Sequence, residues 1–106
     1  MVPLDIVSAL SAPASQIIDE LSSLPEDQWF ERKSGRIAPR DLARPLIAFA
    51  NAEGGTLVIG IHDGKIDPFT PENENEYRQA AMNFTSPPVR VKATRKEVTG
   101  GTLLIL

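Results

Sequence analysis

DLARPLIAFANAEGGTLVIGIHDG, residues 41–64, changes its hydrophobic period within one continuous stretch. Its first half spaces apolar side chains as an amphipathic helix does, whereas residues 56–61 form an unbroken apolar run that is typical of a buried strand. Gly54 and Gly55 lie where the two patterns meet, and Asp63-Gly64 is a strong signal for a short turn. The stretch therefore predicts a core helix, a tight connection, a core strand and a hairpin turn.

The core helix is predicted to face the sheet with a stripe of apolar residues: Leu46, Ile47, Phe49 and Ala50. Pro45 removes a backbone donor, so the regular helix is expected to begin close to Arg44. The two glycines do not form a phosphate loop, because the spacings GxxxxGK[ST] and GxGxxG are missing and the helix precedes the glycines. One glycine is instead predicted to end the helix in the left-handed conformation.

Two short helices are predicted ahead of this core, over residues 4–10 and 12–24. Ser11 is the predicted N-cap of the second helix, with Pro13 in its first turn. Neither helix carries a lysine or arginine that could contact phosphate, so both are predicted to be packing elements rather than a helix-turn-helix. Residues 1–25 are thus an N-terminal helical extension, and residues 26–106 are the predicted domain.

The flanks of the core stretch predict further strands and one long helix. Residues 26–34 have the pattern of a loop that enters a strand, and Lys65-Ile66 of a short return strand. Thr70 and Pro71 begin a helix whose buried side is predicted to carry Tyr77, Ala81 and Phe84.

Two strands are predicted at the end of the sequence. Alternation over residues 89–98 indicates a strand with one wet, basic face, and a turn at Thr99-Gly100-Gly101 leads into a final strand over residues 102–106. The sequence stops inside this strand, from which we expect a longer protein.

This order of elements predicts an α/β (α+β) fold, a two-layer sandwich in which a mixed β-sheet carries helices packed on one face. The strand at residues 56–61 is expected in the middle of that sheet. A length of 106 residues is that of a single domain with a modest core.

Composition excludes several classes of site. There is no cysteine, which removes disulfides, thiolate metal sites and a cysteine nucleophile, and the single histidine, His62, excludes a multi-histidine metal centre within one chain. The first ten residues lack a basic segment and have too short an apolar run for a signal peptide or a membrane span. We therefore expect a cytoplasmic protein.

Charge is unevenly distributed along this chain of net charge −3. Residues 1–31 contain six acids and no base, whereas two short segments concentrate the positive charge. Because a local field matters more to a polyanion than the total charge does, these bases are candidate phosphate contacts. They are Arg32, Lys33, Arg36, Arg40 and Arg44 in the first segment, and Arg90, Lys92, Arg95 and Lys96 in the second. The alternative is that each segment is simply a solvated face.

Three carboxylates offer a different chemistry. Glu26, Glu31 and Asp63 could supply oxygen ligands to a divalent cation, with Lys33 as a positive charge near a scissile phosphate. Each also has an ordinary structural explanation, such as Asp63 as a turn former. A serine triad has little support, because His62 has no GxSxG motif near it.

Several motifs together resemble one known family. They are Phe30-Glu31-Arg32-Lys33, the run Ala48-Phe49-Ala50-Asn51-Ala52, Gly54-Gly55 followed by Thr56 to Ile61, Asp63-Gly64, and Pro87-Pro88 ahead of two strands. Over residues 26–106 the sequence is similar to the Schlafen AlbA_2 domain, also labelled a divergent AAA or AlbA-like DNA-binding domain. The FERK motif departs from the family's usual E-F-K.

The resemblance implies a nucleic-acid-binding α/β domain of the kind found in bacterial transcriptional regulators. It also implies a role for the carboxylates, because animal Schlafen proteins use acidic residues of this domain to cleave RNA. Glu26 and Glu31 resemble the paired glutamates by position, and Asp63 a third member. The ATPase label finds no support, because the phosphate loop is missing.

Three hypotheses follow for the function. The first is a nucleic-acid-binding module without a cofactor, with DNA the expected ligand, which holds phosphates through the nine bases. The second is a ribonuclease that uses Mg²⁺ or Mn²⁺ at Glu26, Glu31 and Asp63. The third is an interaction or dimerisation domain, in which an exposed final strand pairs with a second chain to form a homodimer.

Overall fold

The structure is a computed structural model that describes residues 4–27 and 29–106. Its helices are α1 (Leu4–Leu10), α2 (Ile17–Ser23), α3 (Ala43–Asn51) and α4 (Pro71–Phe84), with a 3-10 helix at Pro39–Leu42. Its strands are β1 (Phe30–Lys33), β2 (Thr56–Ile59), β3 (Ile61–His62), β4 (Lys65–Ile66), β5 (Thr94–Val98) and β6 (Gly101–Ile105). No helix in this described part is long and apolar enough to cross a membrane.

Four strands form a mixed sheet in the order β1-β2-β6-β5. Strand β1 runs parallel to β2 from Phe30 opposite Thr56 to Lys33 opposite Ile59, and the other neighbours are antiparallel. The predicted central position of the 56–61 segment is confirmed, although the strand itself ends at Ile59. The two residues of β3 pair with β4 in a separate hairpin around Asp63-Gly64, as predicted.

The final strand is not an edge strand, which corrects the third hypothesis in its original form. Strand β6 lies between β2 and β5, so its backbone groups are already paired on both sides. The edges of the sheet are β1 and β5. A second chain could not add to residues 102–106 without displacing one of these neighbours.

Alternate residues of the central strands supply two cores, one on each face of the sheet. Leu57, Ile59 and Leu104 pack with α3 and α4 on one face, and Val58 and Leu103 pack with α1 and α2 on the other. The mixed sheet with α3 and α4 packed against it confirms the predicted fold class. The N-terminal helices, predicted as packing elements, cover the second face and add a layer to the predicted sandwich.

Helix boundaries differ from prediction at the N-terminal side. Helix α2 begins at Ile17 with Gln16 at the N-cap, and residues 14–16 form a turn, so Ser11 does not cap it. Leu24 is the C-cap, directly before Pro25. The prediction fails because proline restricts its own backbone and that of the residue before it, which delays the helix without preventing it.

Helix α3 begins at Ala43, close to the predicted start, and Pro45 lies in its first turn, where the missing donor costs no intrahelical bond. Leu46 and Phe49 are buried as predicted, but Ile47 is 42% exposed and Ala50 is also exposed. The apolar stripe is therefore narrower than predicted, because Leu42 and Pro45 supply the rest of the buried side.

The helix-to-strand connection is built differently from the predicted glycine cap. Glu53 takes the left-handed conformation after α3, with φ of 65°, while Gly54 lies at φ of 134°. Gly55 is required for another reason: a Cβ there would lie 2.3 Å from the ring of Phe49. The connection thus uses its glycines for close packing, and a non-glycine residue makes the left-handed turn.

The strand predicted over residues 89–98 forms only at Thr94–Val98. Val89, Val91 and Ala93 point toward the α4-side core, as the alternation indicates, but the segment pairs with no strand in the part of the chain described. Thr94 lies opposite Ile105, the last residue of β6, so the ladder ends there. In α4, Tyr77 and Ala81 are buried as predicted, whereas Phe84 is 45% exposed.

Candidate nucleic-acid interface

Strand β1 turns its two bases toward opposite faces of the sheet. The Arg32 guanidinium donates to the carbonyls of Leu21 and Leu24 at 2.9 and 2.5 Å, and lies 5.4 Å from the centre of the Phe30 ring. Lys33 Nζ lies 3.0 Å from Glu31 Oε1. Arg32 therefore ties α2 to the sheet, and the charge of Lys33 is balanced by a neighbour.

The loop after β1 is held from two sides. The carboxylate of Asp67 accepts hydrogen bonds from the Ser34 hydroxyl and from Arg36 Nε, the latter at 3.2 Å. These contacts, the Ser34 hydrogen bond first, hold the pKa of Asp67 below its ordinary value. A Cβ at Gly35 would lie 2.3 Å from the Asp67 carbonyl oxygen, so only glycine fits where this loop passes the segment after β4.

Tyr77 of α4 holds the same loop through its hydroxyl group. Its hydroxyl lies 2.9 Å from the Gly35 carbonyl and 2.7 Å from that of Ile37, and these two acceptors share its proton. Burial raises the pKa of Tyr77. The loop that presents Arg36 is therefore fixed by α4 and by the segment after β4.

Arg40 and Arg44 remain directed to solvent. Both are exposed, and neither forms an ion pair within the described residues. Arg40 lines a shallow hollow with Glu76 and Phe84 of α4. Arg44 lies in the first turn of α3, where the helix dipole disfavours a cation and favours an anion.

The second basic segment divides into two pairs. Arg90 and Lys92 are exposed and have no ion pair in the described part of the chain. Arg95 Nε lies 3.5 Å from Glu74, which also binds Arg78 at 3.1 Å. Lys96 is half-buried and lies on the opposite side of β5 from Arg95.

The two basic segments reach opposite edges of the sheet. Strands β1 and β5 are opposite edges of the sheet, about 14 Å apart at ordinary strand spacing. Four of the nine are engaged by acids or by backbone carbonyls: Arg32, Lys33, Arg36 and Arg95. The exposed bases without an ion pair are Arg40, Arg44, Arg90 and Lys92.

The three candidate metal ligands line two hollows that share Glu26. Glu26 and Asp63 line one cavity of about 430 Å³ with Lys33 and His62, and Glu26 also lines a second hollow beside α3 together with Glu31. Glu26 is also occupied, since it accepts the Arg32 backbone N–H at 2.6 Å. No group of three acids and histidines within metal-binding reach exists among the described residues, so these side chains do not fit a three-carboxylate metal site.

A groove that the sequence interpretation missed lies between the C-terminal half of α3 and residues 86–94, with a volume of about 800 Å³. Apolar side chains form most of it, and Ile47 and Val91 are among them. The signal available in the sequence was Pro87-Pro88, which keeps the next residues out of the helix and extended.

Comparison with known proteins places this architecture in a family. The family model described as Schlafen, AlbA_2 matches residues 26–106. The solution NMR structure of the N-terminal domain of a protein related to the ATP-dependent DNA helicase RecG, from Nitrosomonas europaea, is similar to this chain at a TM-score of 0.61 and 28% identity. The match covers 90% of this chain and 71% of that one. No curated protein matches the sequence. Because the family model covers most of the chain, from the loop before β1 through β6, the chain belongs to the Schlafen AlbA_2 family.

Proposed function

We propose that this chain is a nucleic-acid-binding module that contacts the phosphates of duplex DNA, acting in the cytoplasm as part of a transcriptional regulator. The observation that carries the proposal is the family match together with the resemblance to a domain from a RecG-related protein. Within the chain, four of the nine predicted bases support the proposal, because they are exposed and form no ion pair in the described residues. These are Arg40, Arg44, Arg90 and Lys92.

Phosphate contacts account for the affinity in this proposal, and base reading does not enter it. Among the described aromatic rings only Phe84 is exposed, beside Arg40, while the others are half-buried or buried, so these rings form no row on which successive bases could stack. If the four exposed bases each neutralise a phosphate, the logarithm of the binding constant should fall with the logarithm of salt concentration at a slope of about −4. Binding should depend little on DNA sequence.

The test is a titration of the whole chain with a labelled DNA duplex, followed by fluorescence anisotropy between about 50 and 200 mM salt. A duplex RNA of the same sequence distinguishes the two nucleic acids, since A-form geometry presents different phosphate spacings. A salt-independent signal, or no binding at the lowest salt, would reject the proposal.

Metal-dependent RNA cleavage is the second candidate, and one observation favours it: Glu26 and Asp63 share a cavity with Lys33 and His62. Among the described residues no three acids or histidines lie close enough together to hold a metal ion, which disfavours a three-carboxylate centre. Incubation of structured RNA with Mn²⁺ and either the wild type or Asp63→Asn decides the matter. Cleavage that disappears in the variant would establish the enzyme, and stable RNA in both samples would leave binding alone.

A further inference from the structure

The exposed aromatic ring of the described chain lies at the end of α4, beside the first basic segment. Phe84 is the last residue of that helix and is 45% exposed. Tyr77, Ala80 and Ala81 are buried and supply the core contacts of α4, and Phe84 is not part of that core. A single exposed apolar residue is ordinary by itself, so the groups around the ring decide what it can bind.

Phe84 lines a hollow of about 360 Å³, a volume within the range of small-ligand sites. Arg40 lines this hollow from the 3-10 helix, and Glu76 and Asn83 line it from α4. All three side chains are exposed, and Arg40 forms no ion pair with a described acid, Glu76 included. The hollow thus brings together an aromatic ring, a free guanidinium, a carboxylate and an amide.

The backbone on both sides of this hollow is held in place by the fold. The Tyr77 hydroxyl shares its proton between the carbonyls of Gly35 and Ile37, which fixes the loop that leads into the 3-10 helix. The 3-10 helix itself packs against α4, the helix that carries Phe84. A ligand would therefore enter a largely preformed site, and little backbone entropy would be lost on binding.

We propose that this hollow binds one unpaired nucleotide at the end of a DNA duplex. A nucleotide carries a planar ring next to an anion, and Phe84 and Arg40 offer the groups that receive them. The base stacks on Phe84, its phosphate meets Arg40, and its exocyclic amine donates to the Glu76 carboxylate. This inference rests on the proposed function and deepens it, because phosphate contacts alone would hold a blunt duplex equally well.

The test compares labelled duplexes by fluorescence anisotropy with the whole chain. They are a blunt duplex, the same duplex with an unpaired cytidine at its 3′ or its 5′ end, and the same overhangs without the base. One of the cytidine overhangs should bind about tenfold more tightly than the blunt duplex, as expected for one base stacked on an aromatic ring. The abasic overhang keeps the extra phosphate and should bind like the blunt duplex. The ratio should stay constant from about 50 to 200 mM salt, because stacking is not ionic.

Matched variants assign the effect to the ring. Phe84→Leu should lose the preference for the overhang and bind the blunt duplex as the wild type does. Met82→Leu, at a residue that is 73% exposed on the same helix, is the control and should keep the preference. Phe84→Trp should also keep it, and the overhang should quench its fluorescence. The wild type, whose single tryptophan is Trp29, gives the background for that measurement.

Glu76 sets the expected choice of base. Cytosine presents an amine that a carboxylate accepts, whereas thymine presents an acceptor at the same position. An unpaired thymidine should therefore bind about fivefold less tightly than an unpaired cytidine, the contribution of one hydrogen bond. Glu76→Gln, whose amide can also donate, should bind the two overhangs equally.

The outcomes separate this inference from the proposed function. If the blunt and overhanging duplexes bind equally, or if Phe84→Leu and Met82→Leu behave alike, the hollow is not a nucleotide site, while the phosphate contacts stand. If the wild type binds cytidine and thymidine overhangs alike, the contact assigned to Glu76 is wrong. If no duplex binds at any salt concentration, both proposals are wrong.

Discussion

Arg32 shows how a residue that is basic in sequence can be structural in the fold. Its side chain reaches across from β1 to the C-terminal end of α2, where it donates hydrogen bonds to the carbonyls of Leu21 and Leu24. Its position over Phe30 adds a cation–π contact. A charge count along the chain cannot distinguish this arginine from Arg40, because the difference lies in which way β1 faces.

We predict that Arg32→Met lowers the free energy of unfolding by about 2 kcal/mol, the usual loss when hydrogen bonds from a charged donor are removed. Arg40→Met, at an exposed position, should change stability by less than about 0.5 kcal/mol. Urea unfolding measures both. An Arg32 variant as stable as wild type but defective in duplex binding would show instead that Arg32 is a ligand for phosphate.

Asp67 is the residue whose ionisation should govern acid stability of the basic loop. Its pKa is lowered in the folded state by the Ser34 hydroxyl and Arg36, so the stabilisation is complete above the unfolded pKa of about 3.9. It is lost as the pH falls through the lower folded value. The free energy of unfolding of wild type should therefore approach that of Asp67→Asn below about pH 4.

Unfolding of the two proteins by urea at a series of pH values tests this dependence. Ser34→Ala and Arg36→Ala should each reduce the pH dependence, because both side chains lower the pKa of Asp67. Parallel curves for wild type and Asp67→Asn across the acidic range would contradict the assignment.

At the scale of elements, the connection from α3 to β2 contains a strained residue whose replacement should stabilise the fold. Glu53 has φ of 65°, a conformation that costs a non-glycine residue about 1–2 kcal/mol, while the adjacent glycines serve other needs. Glu53→Gly should therefore raise the free energy of unfolding by about 1 kcal/mol. Thermal unfolding measures the change.

The control is Ala48→Gly, at an exposed position inside α3, which should lower the free energy of unfolding by about 1 kcal/mol. If Glu53→Gly also lowered the free energy of unfolding, the prediction would be wrong.

The elements also show where sequence patterns suffice and where they do not. The change of period at Gly54-Gly55, the Asp63-Gly64 turn and the Thr70 cap are local signals, and each correctly predicted its element. Residues 89–93 turn their apolar side chains inward as predicted but form no ladder, because a strand needs a partner and alternation reports only which side chains are buried. The exposure of Ile47 was not predicted, because the apolar pattern does not show that Leu42 and Pro45, rather than Ile47, occupy the buried side of the helix.

Candidate site residues were harder to predict than elements. The nine bases form two segments of the sequence, and the sheet places those of β1 and β5 at opposite edges. Glu26 lines one cavity with Asp63 and a second hollow with Glu31, which faces α3 because its neighbour Arg32 turns to the opposite side of the sheet. Strand phase and strand order, which are tertiary properties, decided both outcomes.

For the whole molecule, the open question with a measurable answer is whether one nucleic acid contacts both basic segments. Arg40 and Arg44 belong to the approach to α3, and Arg90 and Lys92 to the segment before β5. If a single duplex touches both pairs, replacing either pair by alanine should make the log–log salt slope less negative by about 2, since each lost phosphate contact contributes about 0.9. Lys65→Ala should leave the slope unchanged, as it lies in the separate β3–β4 hairpin. A slope that changes for one pair alone would confine the interface to that side of the sheet. Unchanged slopes for both would mean that the exposed bases do not carry the binding, and the nucleic-acid proposal would then rest on family membership without a surface to support it.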